Sequence, residues 1–246
     1  MLLQCLLIAY QGLIAPFWID AITFLISALL LSMLTIPYSS RSAEQQNTFW
    51  RLFKEGFLYT AHATLARTLL FTRIIVALGS GIIQVVLVIF IKETMGWNDQ
   101  YFGLALSTIA VGSFVSSLWL SWRGQRYKPT RLFSIGTLAV GLSFVGLALS
   151  PFFALSLLML LLDGLADSCV VVSFSALAQQ DIPDKLRGRF FSTSITFFRA
   201  SVLVSALIGS SLGDSIGAQS TLIVAGLIVA LGGVFAFFSL TQVKAA

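Results

Sequence analysis

Seven apolar runs, at approximately 13–36, 70–91, 102–122, 132–150, 152–178, 190–212 and 218–238, take up most of this chain. An α-helix rises ~1.5 Å per residue and the hydrocarbon core of a bilayer is ~30 Å thick, so ~20 apolar residues cross it. Lipid offers no water to backbone N–H and C=O groups, which forces runs of this length into helices. Charged residues are 10% of the chain, against roughly 25% in a soluble domain. The expected class is an all-α, polytopic membrane protein, a helix bundle of about seven spans.

The loops between the runs set an orientation. The loop 37–69 holds Arg41, Arg51, Lys54 and Arg67, the loop 123–131 holds Arg123, Arg126, Lys128 and Arg131, and the loop 179–189 holds Lys185, Arg187 and Arg189. With Lys244 in the tail, twelve of the fifteen basic residues fall on one side, against Lys92 on the other. Positive loops stay in the cytoplasm, so these residues set the topology, the C-terminus is cytoplasmic, and the net charge of +5 reflects insertion rather than nucleic-acid binding. Trp18 and Trp97 then fall near the outer interface, and Trp119 and Trp122 near the inner one.

The chain divides into 1–36 (the end of one span and a first full span), a cytoplasmic linker 37–69, a six-helix transmembrane unit 70–238, and a tail 239–246. Residues 1–12 read as the last part of a span that begins earlier, which is expected of a truncated chain. In the linker Phe49, Phe53, Phe57 and Ala61 recur every four residues. Such a stripe suits an amphipathic helix in the inner interface, and equally an extension of the next span. Ser205, Gly209 and Gly213 on the sixth run, and Gly112 and Ser116 on the third, lie four apart and suit close helix packing. The 21 phenylalanines are assigned mainly to lipid-facing surface.

Several chemistries have no residues to carry them. There is no phosphate loop of the G-x-x-x-x-G-K-[ST] type, no G-x-S-x-G elbow, and one histidine, His62, without a partner for zinc. Cys5 and Cys169 form no disulfide framework. The expectation is no enzyme, no cofactor, no metal and no nucleic-acid partner.

Ionisable residues inside the runs are costly and default to function. Asp20 and Arg73 lie near the ends of their runs and suit structural roles. Asp163, Asp167 and Arg199 do not. The two aspartates, four apart, share one helix face. Asp167 lies ~16 Å from the inner end of the fifth run and Arg199 ~14 Å from the inner start of the sixth. The two are expected at similar depth, and pairing would offset their burial. Asp163, further outward on the same face, is a candidate proton carrier. A static ion pair that fixes helix register and a substrate or proton path both fit these three residues.

Three stretches resemble a known family. Ile19-Asp20-Ala21-Ile22-Thr23-Phe24-Leu25-Ile26-Ser27, Trp50-Arg51-Leu52-Phe53-Lys54-Glu55-Gly56 and Ile182-Pro183-Asp184-Lys185-Leu186-Arg187-Gly188-Arg189 are similar to the sixth span, the lead-in to span seven, and the loop between spans ten and eleven of major facilitator superfamily transporters. The likeness is to the bacterial efflux branch with enterobactin-exporter-like and macrolide-efflux-like members. Arg123-Gly124-Gln125-Arg126 lacks the acid of that family's loop between spans eight and nine. The resemblance implies the C-terminal half, spans six to twelve, of a secondary transporter in the bacterial inner membrane. It implies proton-coupled efflux of a small amphipathic molecule across the lipid bilayer. It also implies a central cavity bordered by the runs 70–91 and 152–178, completed by an N-terminal half or a second copy. An inactive fragment of such a transporter, and a membrane scaffold or lipid-handling protein without solute transport, are the rival expectations.

Overall fold

A computed structural model describes residues 14–33, 58, 60, 62–91, 96 and 99–243. The described residues form seven α-helices and no strand: α1 (Ile14–Ser32), α2 (Thr64–Ile89), α3 (Asp99–Arg123), α4 (Pro129–Ala148), α5 (Phe153–Asp181), α6 (Asp184–Ile216) and α7 (Ala218–Val243). Helices α2 to α7 are long and apolar enough to cross a membrane. The chain is thus an integral membrane protein with an all-helical bundle. The side chains described in α1 are all exposed. Residues 1–12, most of the linker with its Phe49 stripe, the Trp50–Gly56 stretch, and the Trp97 and Lys185 side chains lie outside the described residues.

The spans outrun the apolar runs that announced them. Helix α2 starts at Thr64 rather than 70, α5 ends at Asp181, and α6 begins at Asp184. Charged and polar turns continue each helix into the interface, where water satisfies the side chains. What stops a helix is local backbone chemistry. Pro183 supplies the N-cap of α6 with an extended ψ of 138°, and Gly217 takes φ 82° to end it. A positive φ of that kind is open to glycine at no steric cost.

Neighbours in space are mostly not neighbours in sequence. Helix α3 packs on α5, α5 on α4, α4 on α7, α7 on α2, and α2 on α6, giving an arc α3–α5–α4–α7–α2–α6. Slighter contacts of α5 with α2 and α6 close the arc. Exchanging α2, α3 and α4 with α5, α6 and α7 maps the five main pairings of the arc onto one another, with a slighter α6–α7 contact in addition, so the bundle is two three-helix units of similar packing. The short links at 124–128, 149–152, 182–183 and 217 reverse the chain at each crossing. A cluster of Ala66, Leu69, Phe133, Phe174, Ala178, Phe190 and Leu240 then gathers the starts of α2, α4 and α6 and the ends of α5 and α7. That end also carries Arg67, Arg123, Arg126, Lys128, Arg131, Arg187 and Arg189.

Glycine marks every tight interface. A Cβ on Gly112 or Gly164 would strike the backbone across the α3–α5 contact, one on Gly141 or Gly226 that across α4–α7, and one on Gly81 or Gly209 that across α2–α6. Such contacts let backbones touch where lipid supplies no hydrophobic drive between helices. The expected faces hold: Ser205 Oγ donates to the Ala77 carbonyl at 3.2 Å, and Gly209 sits on Ile82. Serines add a ladder between α3 and α5. Ser113 Oγ donates to the Gly164 carbonyl at 3.2 Å, and Ser168 Oγ to the Ser113 carbonyl at 2.9 Å. Phenylalanine divides between two environments. Phe71, Phe114 and Phe238 are exposed, as expected of lipid-facing residues, but Phe133, Phe174 and Phe190 are buried inside the bundle.

Gly141→Val should lower the stability of the detergent-solubilised protein by about 1–3 kcal/mol, as overpacking does. Gly188→Ala, inside α6 where an added Cβ meets nothing within 4 Å, should instead raise stability by about 0.5–1 kcal/mol, the usual gain of alanine over glycine in a helix.

Candidate functional site

The equivalent helices of the two three-helix units, α2 and α5, meet near the middle of the bundle, and the intramembrane charges gather there. Asp163 is 6% exposed, with its Oδ1 atom buried and without a hydrogen-bond partner. Asp167, one turn on, is exposed and lies within Coulombic reach of Asp163 and of Arg73. Their four-residue spacing puts both carboxyls on the face of α5 that also carries Phe174.

Arg73 is held by rings. Its guanidinium carbon lies 4.3 Å from the centroid of Phe174 on α5 and 4.5 Å from that of Phe198 on α6. Its buried Nε has no hydrogen-bond partner. A guanidinium between two aromatic faces gains cation–π attraction, worth most where water is excluded. Phe174 belongs in turn to an aromatic cluster, with ring centroids 6.3 Å from Phe133, 6.0 Å from Phe190 and 5.9 Å from Phe191. Rigid rings from three helices, α4, α5 and α6, therefore fix one side of the charged site.

Arg199 is not in it. It is exposed and makes no ion pair among the described residues, so the expected Asp167–Arg199 pair is absent and Arg73 is the cation beside Asp167. The two do lie at similar depth: Asp167 is fourteen residues from the end of α5 and Arg199 fifteen from the start of α6. Depth does not fix rotation, however. The residue turned toward the site is Phe198, and the next one points about 100° away. The sequence reading passed over Arg73 because it lies near the start of its apolar run. The signal that could have found it is its place on α2, a run the family resemblance already set beside the cavity.

The basic loop residues expected to set the topology lie at one end of the bundle. Arg123, Arg126, Lys128 and Arg131 are exposed. Arg187 has a second task. Its guanidinium donates to the carbonyls of Gln179 at 2.7 Å and Ile182 at 3.3 Å, and pairs with Asp184 at 2.6 Å. It thereby caps the end of α5, where carbonyls lack helical partners. No group of three or more metal-ligating residues occurs among the described residues.

A bundle of long apolar helices in two three-helix units, with a buried Asp163 and the charges of Asp167 and Arg73 beside it between equivalent spans, defines a membrane transporter fold. The model of the Major Facilitator Superfamily matches residues 69–246, and the chain belongs to that family of transporters. The chain is also similar to a protein of Bacillus amyloliquefaciens named "Putative bacilysin exporter BacE", 25% identical over 220 residues, which cover 88% of this chain and 53% of the relative. A protein of Bacillus subtilis with the same name is 24% identical over the same shares. The chain spans about half the length of the curated relatives it matches.

A double-mutant cycle of Arg73→Met and Asp167→Asn should show a coupling on the order of 1 kcal/mol in stability, held down by the exposure of Asp167. The cycle of Arg199→Met with Asp167→Asn should show none.

Proposed function

We propose that this chain forms one half of a secondary active transporter that exports a small amphipathic molecule, driven by protons. The observation that carries the reading is the cluster of Asp163, Asp167 and Arg73 between α2 and α5. Two carboxyls and one guanidinium are electrically neutral when the set holds one proton, and bear one net negative charge when it holds none. Charge in lipid is costly, so neutrality favours the loaded form and a cationic substrate could replace the proton. In this reading Asp163 and Asp167 line the path and Arg73 sets their charge balance. Arg199, exposed at similar depth, would face the substrate rather than the carboxylates.

Export is supported by the names of the similar Bacillus proteins, and a midplane site between repeat units is what the family's packing provides. Alternating access needs a second wall, which an N-terminal half or a second copy would supply. The basic end is assigned to the cytoplasm of a bacterial inner membrane, which leaves the C-terminus inside.

Inverted vesicles from cells producing the chain, with its partner half where that is separate, should accumulate bacilysin or the amphipathic dye ethidium when a proton gradient is imposed. Asp163→Asn and Asp167→Asn should each cut the rate by about tenfold or more at equal expression, the range typical of losing a positioned proton-transfer group. Full transport by both variants would remove the carboxylates from the path. A cysteine placed at Arg126 should react with an impermeant maleimide only after the cells are opened; labelling in intact cells would reverse the assigned orientation.

A further inference from the structure

A second feature lies on a different face of α5. Helices α3 and α4 both pack closely on α5 and at most slightly on each other, and the gap between them is a groove of about 1020 Å³. Val115, Ser116 and Trp119 form one wall, Leu132, Ile135, Ala139 and Leu142 the other, and Leu162, Leu165, Ala166 and Cys169 the floor. Neither Asp163, Asp167 nor Arg73 lines it. Its apolar residues are open to the surroundings, with Val115 50%, Ile135 57% and Leu142 52% exposed.

The groove is apolar along its length and cationic at one end. Arg126, Lys128 and Arg131 border its mouth with Tyr127, whose ring stands 5.3 Å from that of Trp119. All three cations are exposed, and no acidic side chain pairs with them among the described residues. The groove runs along α4 from Arg131 to Ser143, ~18 Å at ~1.5 Å per residue. Half of the ~30 Å hydrocarbon core is ~15 Å, so the slot is about one leaflet deep. It begins at the level where aromatic residues mark the interface.

We propose that this groove binds one anionic phospholipid, its phosphate held by Arg126, Lys128 and Arg131 and an acyl chain laid in the slot between α3 and α4. Charge complementarity selects the headgroup, as in basic pockets between spans, and the apolar lining selects a chain rather than a soluble anion. A polypeptide helix would bring backbone and side-chain bulk without the negative charge that three unpaired cations call for.

The test uses the full chain, purified in a mild detergent and examined by native mass spectrometry with phosphatidylglycerol and with phosphatidylcholine of the same acyl chains. One phosphatidylglycerol should be retained in preference to phosphatidylcholine. Each cation near the surface contributes a factor of about five, so replacing all three by glutamine should lower phosphatidylglycerol retention by about a hundredfold. Lys128→Gln alone should lower it about fivefold while the loop stays cationic for insertion. Ile135→Trp, which fills the slot, should reduce retention of the lipid with the loop cations intact. Arg123→Gln, at the same end but outside the groove, should leave retention as in the parent. Equal retention of both lipids, unchanged preference in Lys128→Gln and Ile135→Trp, or displacement by glycerol 3-phosphate as readily as by the lipid would each overturn the assignment. So would a copurifying polypeptide in place of lipid.

Discussion

Close backbone approach at glycine is the constraint on which this bundle rests. Within a bilayer, one apolar helix gains little by exchanging lipid for another apolar helix. Association must come from van der Waals contact and from the few hydrogen bonds that helix surfaces can exchange. Each tight pair in the arc has its glycines: Gly112 and Gly164 for α3–α5, Gly136 for α4–α5, Gly141 and Gly226 for α4–α7, Gly79 for α2–α7, and Gly81 and Gly209 for α2–α6. The slighter α2–α5 contact has the charged cluster instead. The equivalent helices of the two units are thus joined across the middle by electrostatics and rings.

The class of the fold was legible because lipid leaves so few options. Runs of apolar residues long enough to cross had to be helices, and α2 to α7 fall where the runs fall. Helix ends were less legible, since charged turns such as those around Arg67 and Asp184 lie within helices while hydropathy counts them as loops. The order of neighbours in space was not legible at all. Short links fix that consecutive helices run in opposite directions, but α2 and α3 are consecutive without packing together. What selects α7 and α6 as the neighbours of α2 is the placement of Gly79 and Gly81 on its surface, and a small residue advertises an interface without naming the partner.

The charged site shows the same division. Along the axis the reading was accurate, since Asp167 and Arg199 do lie at comparable distances from the ends of α5 and α6. Around the axis it failed, since a single residue separates Phe198, stacked on Arg73, from the exposed Arg199. Arg73, three residues past the start of its apolar run, is by sequence alone close enough to reach an interface. The rings of Phe174 and Phe198 hold it inside instead. A pattern read from one helix at a time cannot detect that, because the cage is assembled from α5 and α6 while its cation comes from α2.

Helix α5 carries both features of the molecule on different faces. One face presents Asp163, Asp167 and Phe174 to α2 and α6, and another floors the groove between α3 and α4. A ligand shifts a conformational equilibrium only by binding its two states unequally. If α5 moves as a rigid rod when the charged cluster is remade, the groove walls contributed by α3 and α4 must either follow it or open. The glycine contact of Gly112 with Gly164 and the serine ladder from Ser113 to Ser168 tie α3 to α5 more tightly than α5 is tied to α2. Helix α4 packs on α5 as extensively as α3 does, with Gly136 set against Ala166 and Cys169, so motion of α5 would carry both walls of the groove with it.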